Sequence, residues 1–203
     1  MPSDAAFAEC EAAGRLLDDK ARYERSGSSF PAPPATSAGG VFHIWSLAMT
    51  IDSSVRFRPA EAADAAAIRD IVRAAYAKWV PVIGREPLPM RADYNKAVAE
   101  HPFDLAISQD RIIGMLETIL ADDHLWIENV CVAPEAQGKG IGRLLLERAE
   151  GKAREAGRQE LRLLTNGAFE ANVSLYKKQG YTIDREEPFM NGTTVYMSKR
   201  IAE

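Results

Sequence analysis

From Val55 onward, apolar and polar positions alternate at two different periods, and the switches between them mark out elements. In "DAAAIRDIVRAAYAKWV" the residues Ala67, Ile68, Ile71, Val72, Ala75 and Trp79 recur at three- and four-residue spacing, which predicts one amphipathic helix. "VRFR", just before it, alternates as a short strand. "PVIGREPLPM" is interrupted by proline and glycine and reads as a loop, and "RADYNKAVAEH" as a second, shorter helix. "FDLAIS" and "RIIGMLETIL", joined at Gln109 and Asp110, read as a hairpin, followed by the apolar strand "LWIENVCVA". After it come a helix in "GRLLLERAEGKAREAG" ending near Gly157, a strand in "ELRLLT" and a helix in "FEANVSLYKKQ" ending at Gly180. "GYTID" and "TTVYMSKRI" close the pattern as strands, so the whole predicts a mixed α/β domain.

The residues before this pattern differ in kind. "MPSDAAFAECEAAGRLLDDKARYERS" has the spacing of an amphipathic helix but leads into "GSSFPAPPATSAGG", a composition that reads as linker. Residues 1–48 are therefore expected to be a disordered or weakly structured extension and residues 49–203 the domain, with Met49 an alternative start.

Charge narrows the function. The 203 residues carry 25 Lys and Arg against 29 Asp and Glu, a net charge of -4, which gives no general attraction to nucleic acid or to an anionic membrane. An anionic ligand must be held locally. The two cysteines, Cys10 and Cys131, form no disulfide framework or metal spacing, so neither a metal nor an oxidising compartment is expected. No apolar run reaches the roughly 18 residues of a membrane span, and we expect a cytoplasmic protein.

One stretch stands against helix propensity. "CVAPEAQGKGIGRLLLERAE" sets three glycines where a helix begins, although each weakens a helix by roughly 1 kcal/mol against alanine. Amides in a first helical turn have no internal partner and carry about half a positive charge from the summed peptide dipoles. Glycine lets an anion approach that bare backbone. One such contact is worth only about 0.3 to 1 kcal/mol when exposed, so a tight site needs several amides and a ligand with more than one charge, such as a pyrophosphate. The dinucleotide pattern G-x-G-x-x-G fails here because Arg143 stands at its third glycine, and no Gly-Lys-Ser/Thr of a P-loop occurs.

Gln137-Gly138-Lys139-Gly140-Ile141-Gly142 does match Q/R-x-x-G-x-G/A, and with the strand "VCVAP" before it the chain resembles the GNAT acetyltransferase superfamily. The resemblance runs from about Val55 to Arg200 and includes "VRFRPAEAADAAAIRDI", "NVSLYKKQGY" and "VYMSKRI". It implies a mostly antiparallel sheet of about six to seven strands flanked by about four helices. It also implies acetyl-coenzyme A as cosubstrate, without metal, and transfer of the acetyl group to an amine. The turn from Gln137 through Arg143 would wrap the pyrophosphate, and the strand at Val130, Cys131 and Val132 would bond the pantetheine arm. Asn172 would contact the cofactor, and Tyr176, four residues later on the same helical face, would protonate the sulfur.

Glu128 matches the carboxylate that acts through water as general base in many members. Strict alternation, however, puts it on the face of Val130 and Val132 unless a bulge intervenes. His124 is a rival base, otherwise a surface residue at a strand start, and Cys131 a rival nucleophile, otherwise a small buried hydrophobe. Lys139 and Arg143 add charge to the phosphates or are solvated cations. The loop with Trp79, Arg85, Glu86 and Arg91 lies where the family selects its acceptor, a small amine or a protein or peptide amino group. A non-catalytic acyl-coenzyme A sensor is the rival from another class, and a homodimer is compatible with either.

Overall fold

Five apolar positions of the first helix face inward, and from that face the rest of the domain can be placed. The structure, a computed structural model, describes residues 55–201; the expected extension over residues 1–48 and the alternative start at Met49 lie outside the described residues. Strand β1 (Arg56–Pro59) leads to helix α1 (Ala65–Tyr76), which buries Ala65, Ile68, Ile71, Val72 and Ala75. Ala67, expected on that face, is exposed, because the buried row is set by Ala65 and Ile68 at a spacing of three. Trp79 lies past the helix in a 3-10 turn, Ala77–Trp79.

The expected loop after Trp79 contains local structure. Pro81 sits in the first turn of a one-turn helix α2 (Val80–Ile83), where a missing amide costs nothing, and Gly84 ends it at φ 71°. A 3-10 turn at Leu88–Arg91 precedes α3 (Tyr94–Glu100), whose Asp93 side chain accepts from the amides of Asn95 and Lys96.

Strands β2 (Phe103–Ser108) and β3 (Arg111–Leu120) form the expected hairpin. Gln109 and Asp110 adopt φ 49° and 57°, the two positive values a two-residue turn requires. Then follow β4 (Leu125–Val132), α4 (Ile141–Glu155), β5 (Glu160–Asn166), α5 (Glu170–Lys178), β6 (Thr182–Phe189) and β7 (Gly192–Arg200). The strand expected in "GYTID" runs on to Phe189. It continues because it is the outer strand of the sheet, where charged side chains discourage further pairing.

The seven strands make one sheet in the order β1-β2-β3-β4-β5-β7-β6. Every neighbouring pair is antiparallel except β4 and β5. This is the mixed, mostly antiparallel sheet with flanking helices that was expected. Asn129 of β4 points to α1 and α3, where it meets Tyr76 and Tyr94. On the opposite face Gly114 of β3 lies under α4, close to Ile141 and Leu145.

Candidate active site

The parallel ladder between β4 and β5 is short. It runs from Leu125↔Leu161 to Ile127↔Leu163 and stops, although β4 continues to Val132 and β5 to Asn166. Beyond Ile127 the two strands leave a gap in the middle of the sheet. The Ala133 amide bonds the Ile113 carbonyl on the β3 side, and successive residues of a strand present their polar groups to opposite sides. Val130 and Val132 therefore turn theirs toward the gap. Cys131, between them, pairs with Met115 of β3, and its buried thiol is pushed up to about 12 by loss of water, so it stays protonated.

The glycine turn closes the end of this gap. Gly138 and Gly140 have φ of 75° and 83°, a region costing other L-residues roughly 1–2 kcal/mol, and Gly140 caps α4 with no side-chain hydrogen bond. Gly142 has a different reason: a Cβ there would stand 3.3 Å from Leu175 Cδ2. The three glycines thus allow a left-handed turn and a close approach of α4 to α5, and they leave the first amides of a fifteen-residue helix without side-chain cover. Gln137 folds back, and its Nε2 donates to the Val132 carbonyl at 2.9 Å. Lys139 is exposed, and Arg143 reaches Glu147 at 3.6 Å.

Tyr176, on α5, is 7% exposed and leans on Tyr181 with ring centres 5.8 Å apart. Burial pushes its phenol up to about 12, so it holds its proton at neutral pH. Asn172, one turn earlier, is half-buried. At the start of the same helix Phe169 stacks on Trp79, with centroids 4.5 Å apart, and meets the edge of Tyr76 at 6.4 Å.

Glu128 departs from the expected alternation. The register between β3 and β4 slips there, with Glu117 opposite Asn129 and Thr118 opposite Ile127, so Glu128 is the extra residue of a bulge. Its exposed carboxylate accepts from Trp126 Nε1 at 2.8 Å, whereas Val132 packs toward Gly142 on the other face. His124 is fully buried rather than at the surface, bonded to Asp123 at 2.6 Å beside the paired end of β4.

Three polar groups, two of them buried, escaped the sequence pattern. The Tyr76 hydroxyl donates to Asn129 Oδ1 (2.9 Å), Asn129 Nδ2 to the Tyr94 oxygen (3.2 Å), and the Tyr94 hydroxyl to the Pro89 carbonyl (2.9 Å). An asparagine inside the apolar run "WIENVCV" was the one signal. Lys78, which donates to Gln137 Oε1 at 2.8 Å, gave none.

Comparison with known proteins adds the context. The pattern defining the Acetyltransferase (GNAT) family matches residues 66–181. An IAA acetyltransferase of Azospirillum brasilense is 46% identical over 56 residues, a stretch covering 27% of this chain and 36% of that protein. The chain thus spans about a third of that relative's length. The fold is shared with the PaiA N-acetyltransferase of Thermoplasma acidophilum, solved with coenzyme A (TM-score 0.65, 20% identity, 73% of this chain and 99% of that one). It is also shared with a GNAT acetyltransferase of Elizabethkingia anophelis with acetyl-CoA bound (TM-score 0.56, 18% identity, 74% and 100%). Among the described residues no helix is long and apolar enough to cross a membrane. The match spans more than half of the sequence and takes in the gap, the glycine turn and α5: the chain belongs to the GNAT family of acetyltransferases.

Proposed function

We propose that the protein transfers the acetyl group of acetyl-coenzyme A directly to a primary amine while both are bound. The observation that carries this reading is the gap beyond Ile127, which runs into a turn of left-handed glycines at the start of α4. An extended pantetheine arm bonds Val130 and Val132 as a strand would, and the amides after Gly140 receive the pyrophosphate. The similar folds solved with coenzyme A and with acetyl-CoA support that placement.

Attack requires a neutral amine, and a lysine-like amine of pKa near 10.4 is neutral in only roughly one molecule in two thousand at pH 7. Glu128, exposed beside the bulge, takes the amine's proton through a water. Nitrogen then bonds the acetyl carbon, and the Val130 amide holds the negative oxygen that forms. As the C–S bond breaks, the nitrogen, now positively charged, releases its second proton to solvent, and Tyr176 passes its hydroxyl proton to the sulfur and is reprotonated from solvent. A tyrosine that burial keeps protonated suits this role. Asn172 contacts the cofactor one turn away, and Trp79, Phe169, Arg85, Glu86 and Arg91 border the amine. We further propose residues 49–203 as the catalytic domain.

Calorimetric titration of acetyl-coenzyme A into the full chain and into Gly140→Asp tests this reading. Micromolar binding lost in the variant supports the site, and coenzyme A release with a panel of amines then identifies the acceptor. A folded wild type that binds no acetyl-coenzyme A overturns it, and tight binding without turnover on any amine leaves a cofactor sensor.

A further inference from the structure

Lys78 lies far from the glycine turn in sequence, yet its ammonium touches it. Nζ donates to Gln137 Oε1 at 2.8 Å, immediately before Gly138, while Gln137 Nε2 holds the Val132 carbonyl at the edge of the gap. The same ammonium lies 5.0 Å above the ring of Trp79, which is itself stacked on Phe169. Among the described residues Lys78 has no carboxylate partner. A positive charge is thus held beside the glycine turn by a neutral amide and an aromatic face.

The cations of the turn itself are differently placed: Arg143 is drawn to Glu147 on its own helix, and Lys139 extends into solvent. The ammonium's bond to the neutral Gln137 oxygen has charge on one side only, whereas a phosphate oxygen adds attraction between full charges. A lysine has three donors on a flexible stem, so it can keep Gln137 and take a phosphate oxygen together. We propose that Lys78 is a binding residue for the pyrophosphate of acetyl-coenzyme A, reaching the glycine turn from the end of α1. This rests on the reading of the gap as the acetyl-coenzyme A site. Cofactor binding would then fasten the Tyr76-to-Trp79 segment, one wall of the acceptor side, to the turn at the start of α4.

The test compares three ligands on the full chain: acetyl-coenzyme A, acetyl-dephospho-coenzyme A, which lacks only the 3′-phosphate, and S-acetylpantetheine, which has no phosphate. Lys78→Met keeps an apolar stem over Trp79 and removes the charge. We expect it to weaken the first two ligands about tenfold, to leave S-acetylpantetheine unchanged, and to flatten the salt dependence of acetyl-coenzyme A binding. Lys78→Arg should restore most of the affinity. Unchanged acetyl-coenzyme A binding overturns the proposal, as does equal weakening of S-acetylpantetheine, which marks a purely structural role. A loss confined to acetyl-coenzyme A overturns it too, by moving the charge to the 3′-phosphate. A wild type that binds none of the three overturns the site itself.

Discussion

The Tyr76 hydroxyl donates to Asn129 Oδ1 across 2.9 Å, so the last turn of α1 is bound to the strand that edges the gap. From there the chain of donors runs in one direction, through Tyr94 to the Pro89 carbonyl. Asn129 is 6% exposed, and both of its polar atoms are used. Replacing it by leucine leaves the Tyr76 proton without an acceptor and the Tyr94 oxygen without a donor. Each orphan costs about 1–3 kcal/mol, so Asn129→Leu should lower stability by about 2–6 kcal/mol. Tyr76→Phe should cost about 1 kcal/mol, and the double variant less than the two costs added, because the orphaned proton is then gone. Urea midpoints of the four proteins check this; strict additivity would show that the bond contributes no coupling.

Tyr176 and Glu128 should separate binding from turnover. With the amine identified by the panel, Tyr176→Phe should reduce kcat about 10²- to 10⁴-fold while acetyl-coenzyme A affinity holds. Burial puts the phenol at about 12, so the wild-type rate should show no alkaline fall attributable to this tyrosine below about pH 10. Glu128→Gln should reduce kcat on a similar scale, with recovery as pH rises and more of the amine becomes neutral. Stopped-flow release of coenzyme A against pH measures both, and full kcat in Tyr176→Phe would remove the acid assignment.

What the letters disclosed was local. The glycines of the turn, the hairpin turn at Gln109 and Asp110 and the spacing of Asn172 and Tyr176 all depend on neighbours within a few residues. Partnerships across the sheet did not show. The bulge at Glu128 is a matter of register against Glu117 and Thr118, and a strand read alone has no register. Lys78 and Gln137 stand 59 positions apart and meet only because α1 ends over the turn. The misplacement of Ala67 and the early end assigned to β6 share a cause: burial decides both, and it follows from which neighbour lies alongside.

Alkaline pH should unfold the domain earlier than ordinary phenols would predict. Burial raises the phenols of Tyr76, Tyr94, Tyr176 and Tyr181 and the thiol of Cys131 above their usual values. In each case the unfolded chain loses its proton first. The stabilisation is therefore complete below about pH 8.5 for the thiol and about pH 10 for the phenols, and it is lost as pH rises. Each group that is ionised only in the unfolded state lowers stability by about 1.4 kcal/mol per pH unit. Tm measured from pH 7 to pH 11 should stay flat and then drop, and phenolate absorbance from the four tyrosines should appear with unfolding rather than before it. Their ionisation in the folded state at about pH 10 would refute the burial argument.

Gly114 connects the packing to the site. It lies on β3 beneath the first turns of α4, and an added Cβ would stand 3.1 Å from the Cys131 carbonyl oxygen, 3.1 Å from Leu145 Cδ1 and 3.2 Å from Ile141 Cγ2. The carbonyl belongs to the sheet and cannot yield, so the strain must fall on the helix. Overpacking of this kind costs about 1–3 kcal/mol, and Gly114→Ala should show that loss in a urea melt. The displaced residues open α4, directly after the Gly140 cap, so the amides aimed at the pyrophosphate move with them. Acetyl-coenzyme A affinity should fall together with stability. Gly151, on the same helix with nothing within 4 Å of an added Cβ, provides the control: Gly151→Ala should gain about 0.5–1 kcal/mol from helix propensity and leave affinity unchanged. If Gly114→Ala loses stability but binds acetyl-coenzyme A as tightly as the wild type, the helix start adjusts independently of the strand beneath it, and the coupling is refuted.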